Sequence, residues 1–149
     1  MKKNIIILTL SLLIKISFLM GVSSGNEMSG DCPQKRNTVT DPSDYISKVN
    51  PLRNEPRHIK KGKVLSHMKA KPLACKHCHG LSGNGQGSMS HSMNPKPRNF
   101  TCTETMNKIS DGQLFWIIKK GSKGTAMPAY SYLSDKKIWQ IILYIRSLS

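Results

Sequence analysis

The apolar positions of this 149-residue chain form helical patterns in its second half. Ile138, Trp139, Ile141, Ile142, Leu143, Ile145 and Leu148 are apolar over much of a helical circumference, which predicts a largely buried last helix. Ser134 stands where an N-cap would open it. A second helix carries Leu114, Phe115, Ile117 and Ile118 on its apolar face, with Ser110 and Gln113 as a capping box and Gly121 at its end. A third has Val64, Leu65 and Met68 at helical spacing, Met68 being read as core, and Pro72 closes it. Trp116 and Trp139 read as packing residues.

Upstream the pattern changes twice. Residues 26–58 hold Pro33, Pro42, Pro51 and Pro56 among scattered charges and few apolar residues, which predicts an irregular extension and not a second core. Residues 1–25 have the form of a secretory signal. Lys2 and Lys3 precede the apolar stretch from Ile5 to Ile14, and small residues follow, with cleavage expected after Ser24 or Gly25. Lys15 interrupts the stretch, which argues against a full membrane span, although an uncleaved anchor stays open. Asp31 before Cys32 is unlike a lipid-attachment site. The expected organisation is a signal peptide over 1–25, an extension over 26–58 and one compact domain over 59–149, with the bacterial periplasm as destination.

The chemistry concentrates in Cys75-Lys76-His77-Cys78-His79. Two cysteines separated by two residues and followed by histidine have the spacing of a c-type haem attachment site. Each thiol can add across one vinyl group of haem, and the adjacent histidine then lies where its imidazole reaches the iron. His77 reads as a solvated spacer. A thioredoxin-like pair would need a βαβ setting, which the flanking sequence lacks, and a structural zinc site would need a second pair of ligands. The motif occurs once, so one haem c, with its iron, is the expected cofactor.

With His79 on one side of the iron, the second axial position needs a ligand or stays open for a substrate. Met127 is the candidate, in Gly124-Thr125-Ala126-Met127-Pro128-Ala129-Tyr130, and a thioether there would raise the reduction potential. Met89, Met93 and His91 are its rivals. The glycine-rich stretch from Gly80 to Gly87 lacks the lysine of a phosphate-binding loop, and is read as a turn bringing backbone close to the haem. Cys32 and Cys102 fit two arrangements: a disulfide tying extension to domain, or a buried Cys102 thiol with Cys32 free.

The chain resembles the class I cytochrome c family, in its small bacterial periplasmic form, over residues 59–149. The resemblance rests on Cys75-Lys76-His77-Cys78-His79-Gly80, Pro97-Arg98-Asn99-Phe100, Ala126-Met127-Pro128-Ala129-Tyr130, Ile138-Trp139 and Tyr144-Ile145-Arg146-Ser147-Leu148. It implies an all-α fold, a few helices wrapped around one covalently attached haem, with first and last helices crossing. It also implies that the carbonyl of Pro97 accepts the hydrogen bond from the other nitrogen of His79, and that Arg98 and Asn99 approach a haem propionate. The proline-containing extension and Cys102 depart from the family pattern.

The formal charge is +15; Lys2, Lys3 and Lys15 lie in the signal segment, leaving about +12 without it. Such a chain would associate with acidic surfaces, either redox partner proteins or an anionic membrane, while nucleic acid is excluded for an exported protein. Lys76 and Lys96 lie near the motifs, where they would belong to a basic rim at the haem edge. The expected role is that of a one-electron carrier with His/Met ligation, and not an enzyme. A fixed haem c subunit of a respiratory or dehydrogenase complex is the alternative. A haem enzyme or sensor with a labile distal ligand is a third, and the chain shows no distal acid–base constellation for it.

Overall fold

The computed structural model describes residues 30–34 and 42–149; the expected signal segment and residues 26–29 and 35–41 of the expected extension lie outside them. The described residues contain six α-helices and no strand: α1 (Ser43–Ile46), α2 (Pro56–Val64), α3 (Lys76–His79), α4 (Thr103–Met106), α5 (Asp111–Lys120) and α6 (Asp135–Arg146). The fold is all-α.

The last helix is the spine. Every residue from Ile138 to Ile145 is buried, as its broad apolar face requires. The first long helix, α2, crosses it at Gly62. A Cβ placed there would stand 1.9 Å from the carbonyl oxygen of Gln140, so only glycine lets the two backbones touch. The chain thus has the crossing of first and last helices that the resemblance implied. On the other side, α5 packs Leu114, Phe115 and Ile118 against α6, with Phe115 and Trp139 rings 4.5 Å apart.

Two capping expectations separate here. Ser110 caps α5 with its side chain, its Oγ accepting from the Gln113 amide at 3.0 Å, and Gly121 ends the helix at φ +79°. Ser134 occupies the N-cap of α6 but its side chain makes no cap bond; its carbonyl accepts from the amides of Lys137 and Ile138.

Helix α2 also departs from its sequence reading. It starts at Pro56, where the missing N–H costs nothing in a first turn, and so reaches back across the boundary expected near Ile59. Beyond Val64 it continues as a wider turn over Leu65–Lys69, closed by the Ala70 amide on the Leu65 carbonyl at 2.9 Å. The wider turn changes the phase of the helix. Met68 therefore points outward, 72% exposed, and is not a core residue.

The extension is part of the same packed body. Helix α1 lies on α5 at Gly112, where a Cβ would meet the Tyr45 carbonyl oxygen at 1.7 Å. Tyr45 stacks on Phe115 at 6.1 Å between ring centroids, and the Asn50 side chain donates to the Trp139 carbonyl at 3.0 Å. Further upstream, Cys32 and Cys102 form a disulfide, which decides between the two arrangements left open by the sequence.

Candidate haem-binding site

Residues 70–79 bring the two motif cysteines to the wall of a cleft between α3, α5 and the loop that carries Met127. Cys75, Cys78, His79, Pro97, Arg98, Phe100, Leu114, Ile117, Ile118, Met127 and Tyr130 line it, together with Met93. About 840 Å³ of atom-free space lies within it, counted with its open mouth. A smaller cleft, lined by His67, Cys75, His79, Phe100, Met127, Ile141, Tyr144 and Ile145 among others, adjoins it. His79 and Met127 line both.

Helix α3 is one turn long, and its last carbonyls need partners. The glycine-rich loop supplies them. The amides of Gly85, Gly87 and Met89 donate to the carbonyls of His79, Cys78 and His77 at 2.8, 3.0 and 2.8 Å. The loop runs antiparallel along the motif and holds it. The close approach expected of this loop is therefore made to the backbone of the motif, with a Cβ on Gly87 meeting the His77 carbonyl oxygen at 2.4 Å.

The imidazole of His79 is fixed from behind. Its Nδ1 lies 2.9 Å from the carbonyl oxygen of Arg98, and its ring stacks on Phe100 at 4.3 Å with planes 15° apart. A carbonyl only accepts, so Nδ1 carries the proton and Nε2 carries the lone pair, the tautomer a metal ligand needs. The acceptor expected from the resemblance was the carbonyl of Pro97. That carbonyl instead accepts from the side chain of Gln34 at 2.9 Å, and the neighbouring peptide takes its place behind His79.

Arg98 lines the cleft, whereas Asn99 does not. The Asn99 carboxamide is committed elsewhere. Its Nδ2 donates to the Gly30 carbonyl at 3.0 Å, and its Oδ1 accepts from the Thr101 amide and hydroxyl at 2.9 and 2.7 Å. Asn99 is a buried scaffold residue that joins the extension to this loop. Gln34 and Asn99 in this role had no sequence signal, because their partners are backbone groups more than sixty positions away.

Met127 is held by a folded-back loop. The Ser122 amide donates to the Met127 carbonyl at 3.2 Å, and the Met127 amide donates to Thr125 Oγ1 at 3.1 Å. Tyr130 closes the loop onto the other wall, its amide on the Ile118 carbonyl at 2.9 Å and its hydroxyl on the Leu73 carbonyl at 2.7 Å. Of the rivals, Met93 lines the cleft, while Met89 and His91 are exposed and line neither cleft. Met106, by contrast, is fully buried in the core.

Neither motif cysteine is in a disulfide. Before haem attachment, burial pushes the Cys75 thiol up to about 11 and raises that of Cys78 as well. Burial raises the Tyr130 hydroxyl too. Among the described residues, no group of three or more His, Cys, Asp or Glu side chains converges. An apolar cleft with two thiols on one wall, an oriented imidazole and a thioether fits haem c. Lys96, expected in a basic rim, lines the cleft and donates its ammonium to the carbonyls of Ser90 and His91 at 3.2 and 2.8 Å, bracing the 90–96 loop.

Comparison with known proteins agrees with this geometry. The cytochrome c family model matches residues 59–149, more than half of the chain. Among solved structures, a chain of the reducing HAO-like protein complex of Kuenenia stuttgartiensis is similar, at 30% identity and a TM-score of 0.54. That match covers 66% of this chain and 46% of the other, so it spans less than half of the Kuenenia chain. No curated protein matches. Family membership implies covalently bound haem c and electron transfer between redox partners, and on the family match the chain belongs to the cytochrome c family.

Proposed function

We propose that the protein is a one-electron carrier with a single haem c, bound through Cys75 and Cys78 and ligated by His79 and Met127. The observation that carries this reading is that all four side chains line one apolar cleft. When bound, the haem supplies the ferrous–ferric couple. The chain's residues do the rest. The Arg98 carbonyl keeps the His79 imidazole in its ligating tautomer, and Tyr130 ties the Met127 loop to the wall that carries the cysteines. Leu114, Ile117, Ile118 and Ile145 exclude water. Fixed ligands on both sides limit the rearrangement that accompanies electron transfer, which suits a carrier and not an enzyme.

Periplasmic location is part of the proposal. It is supported by the signal-like residues 1–25 and by the Cys32–Cys102 disulfide, which persists in an oxidising compartment. Fractionation with N-terminal sequencing of the mature form tests it.

The test of ligation is visible and near-infrared spectroscopy of the matured protein, with carbon monoxide added after reduction. A methionine–ferric charge-transfer band and no carbon monoxide shift are expected, and Met127→Ala should abolish the band and admit carbon monoxide. An open site in the wild type would overturn the carrier reading in favour of an enzyme or sensor.

A specific observation favours the alternative of a fixed complex subunit. Arg57, Lys60, Lys61, Lys69, Lys136 and Lys137 line an open groove between α2 and the start of α6 that shares no lining residue with the main cleft. Charge placed there suits a lasting contact with an acidic partner better than docking at a haem edge. An anionic membrane surface is the other acidic partner the groove would fit, and binding to anionic against neutral vesicles separates the two. The similar Kuenenia chain comes from a complex. Copurification of a partner through high salt would select this reading over the free carrier.

A further inference from the structure

The hydrogen bond behind His79 is made by one peptide group, and a side chain from the extension holds that group. The carbonyl of Arg98 and the amide N–H of Asn99 are two ends of the same planar unit. The Asn99 N–H donates to Gln34 Oε1 at 2.9 Å, while Gln34 Nε2 donates to the Pro97 carbonyl at 2.9 Å. The Gln34 carboxamide thus pairs with backbone on both sides of Arg98, as a neighbouring strand would. An acceptor bonded to the N–H end of a peptide makes its carbonyl end a better acceptor, because hydrogen bonds in a chain polarise one another. Gln34 Oε1, peptide 98–99 and the His79 ring form such a chain. Its outer end is anchored by the Cys32–Cys102 disulfide and by the bond from Asn99 Nδ2 to the Gly30 carbonyl.

We propose that Gln34 is a positioning residue that sets the strength of the His79–Arg98 hydrogen bond, and through it the reduction potential of the centre. This rests on His79 being an axial ligand. A stronger bond from Nδ1–H makes the imidazole more electron-rich, which favours the ferric state and lowers the potential. Loosening the bond raises it.

The experiment compares wild type, Gln34→Ala and Gln34→Glu as matured haem proteins. Spectroelectrochemistry gives the potential, and proton NMR gives the exchange rate of the His79 Nδ1–H. Gln34→Ala should raise the ferrous-to-ferric ratio at the wild-type midpoint about threefold, roughly 28 mV at 59 mV per tenfold for one electron. Its ring N–H should exchange about tenfold faster. Gln34→Glu keeps an oxygen for the Asn99 N–H, so its ring exchange should stay near wild type and its potential should not rise. It also keeps the test alive should the alanine variant fail to mature. A Gln34→Ala protein with lowered melting temperature but unchanged potential and exchange would overturn the proposal, leaving Gln34 a purely structural contact. A wild type that lacks a c-type spectrum or a histidine-ligated iron would instead overturn the reading of the site.

Discussion

Replacing Cys32 and Cys102 together by alanine tests whether the extension folds with the domain. The two residues are 70 positions apart, so the bond removes about 4.4 kcal/mol of chain entropy from the unfolded state at 25 °C. Cys102 is only 2% exposed, and deleting its buried sulfur adds about 1 kcal/mol for the space left behind. Stability should therefore fall by about 5 kcal/mol. Equilibrium urea unfolding of the matured protein, followed by haem absorbance and tryptophan fluorescence, measures this. The m-value should rise, because the unfolded chain expands once the bond is gone. At roughly 4 °C per kcal/mol for a domain of this size, the melting temperature should drop by roughly 20 °C. A loss below about 1.5 kcal/mol would refute the reasoning. It would mean that residues 30–34 already detach before the domain unfolds, so that the bond restrains nothing in the cooperative transition.

Gly62→Ala should cost about 3 kcal/mol, since its Cβ would stand 1.9 Å from the Gln140 carbonyl oxygen and force the crossing helices apart; urea titration checks it. Arg146→Lys should cost about 1–2 kcal/mol in the same assay, because a single ammonium does not span the Asp111 carboxylate and the carbonyls of Met106 and Ile109, which the guanidinium bonds at 2.8, 2.7 and 2.5 Å. Burial, then Lys63 and Lys76, hold the His67 imidazole below its ordinary range. The unfolded chain therefore binds more protons than the folded one just below pH 6.5, so stability should fall as the pH is lowered through that value towards the folded pKa. His67→Gln should flatten that part of the stability–pH curve, and an unchanged slope would assign it to another group.

The sequence made some of this legible and hid the rest for physical reasons. The cysteine–histidine motif, the buried last helix and the Ser110 cap were readable because each is local, with partners within a turn or two. Met68 was misplaced because a single widened turn shifts helical phase without any residue that announces it. The Pro97 expectation missed by one residue: its carbonyl bonds Gln34, which lies outside the motif, and the Arg98 carbonyl faces His79. Helix α1 was missed because its docking signal is a glycine on another helix, and Gly112 alone does not say what comes to rest on it.

That docking has a consequence for where the protein can be cut. The cytochrome c family match begins at residue 59, but a fragment starting there would lack the first turn of α2 and half of the disulfide. It would also uncover Phe115, lose the Asn50 bond to Trp139, and leave the peptide behind His79 without its outer clasp. The stretch matched by the family model is smaller than the packed body of the described residues. Truncation, fusion and tagging therefore belong upstream of Gly30, not at the homology boundary.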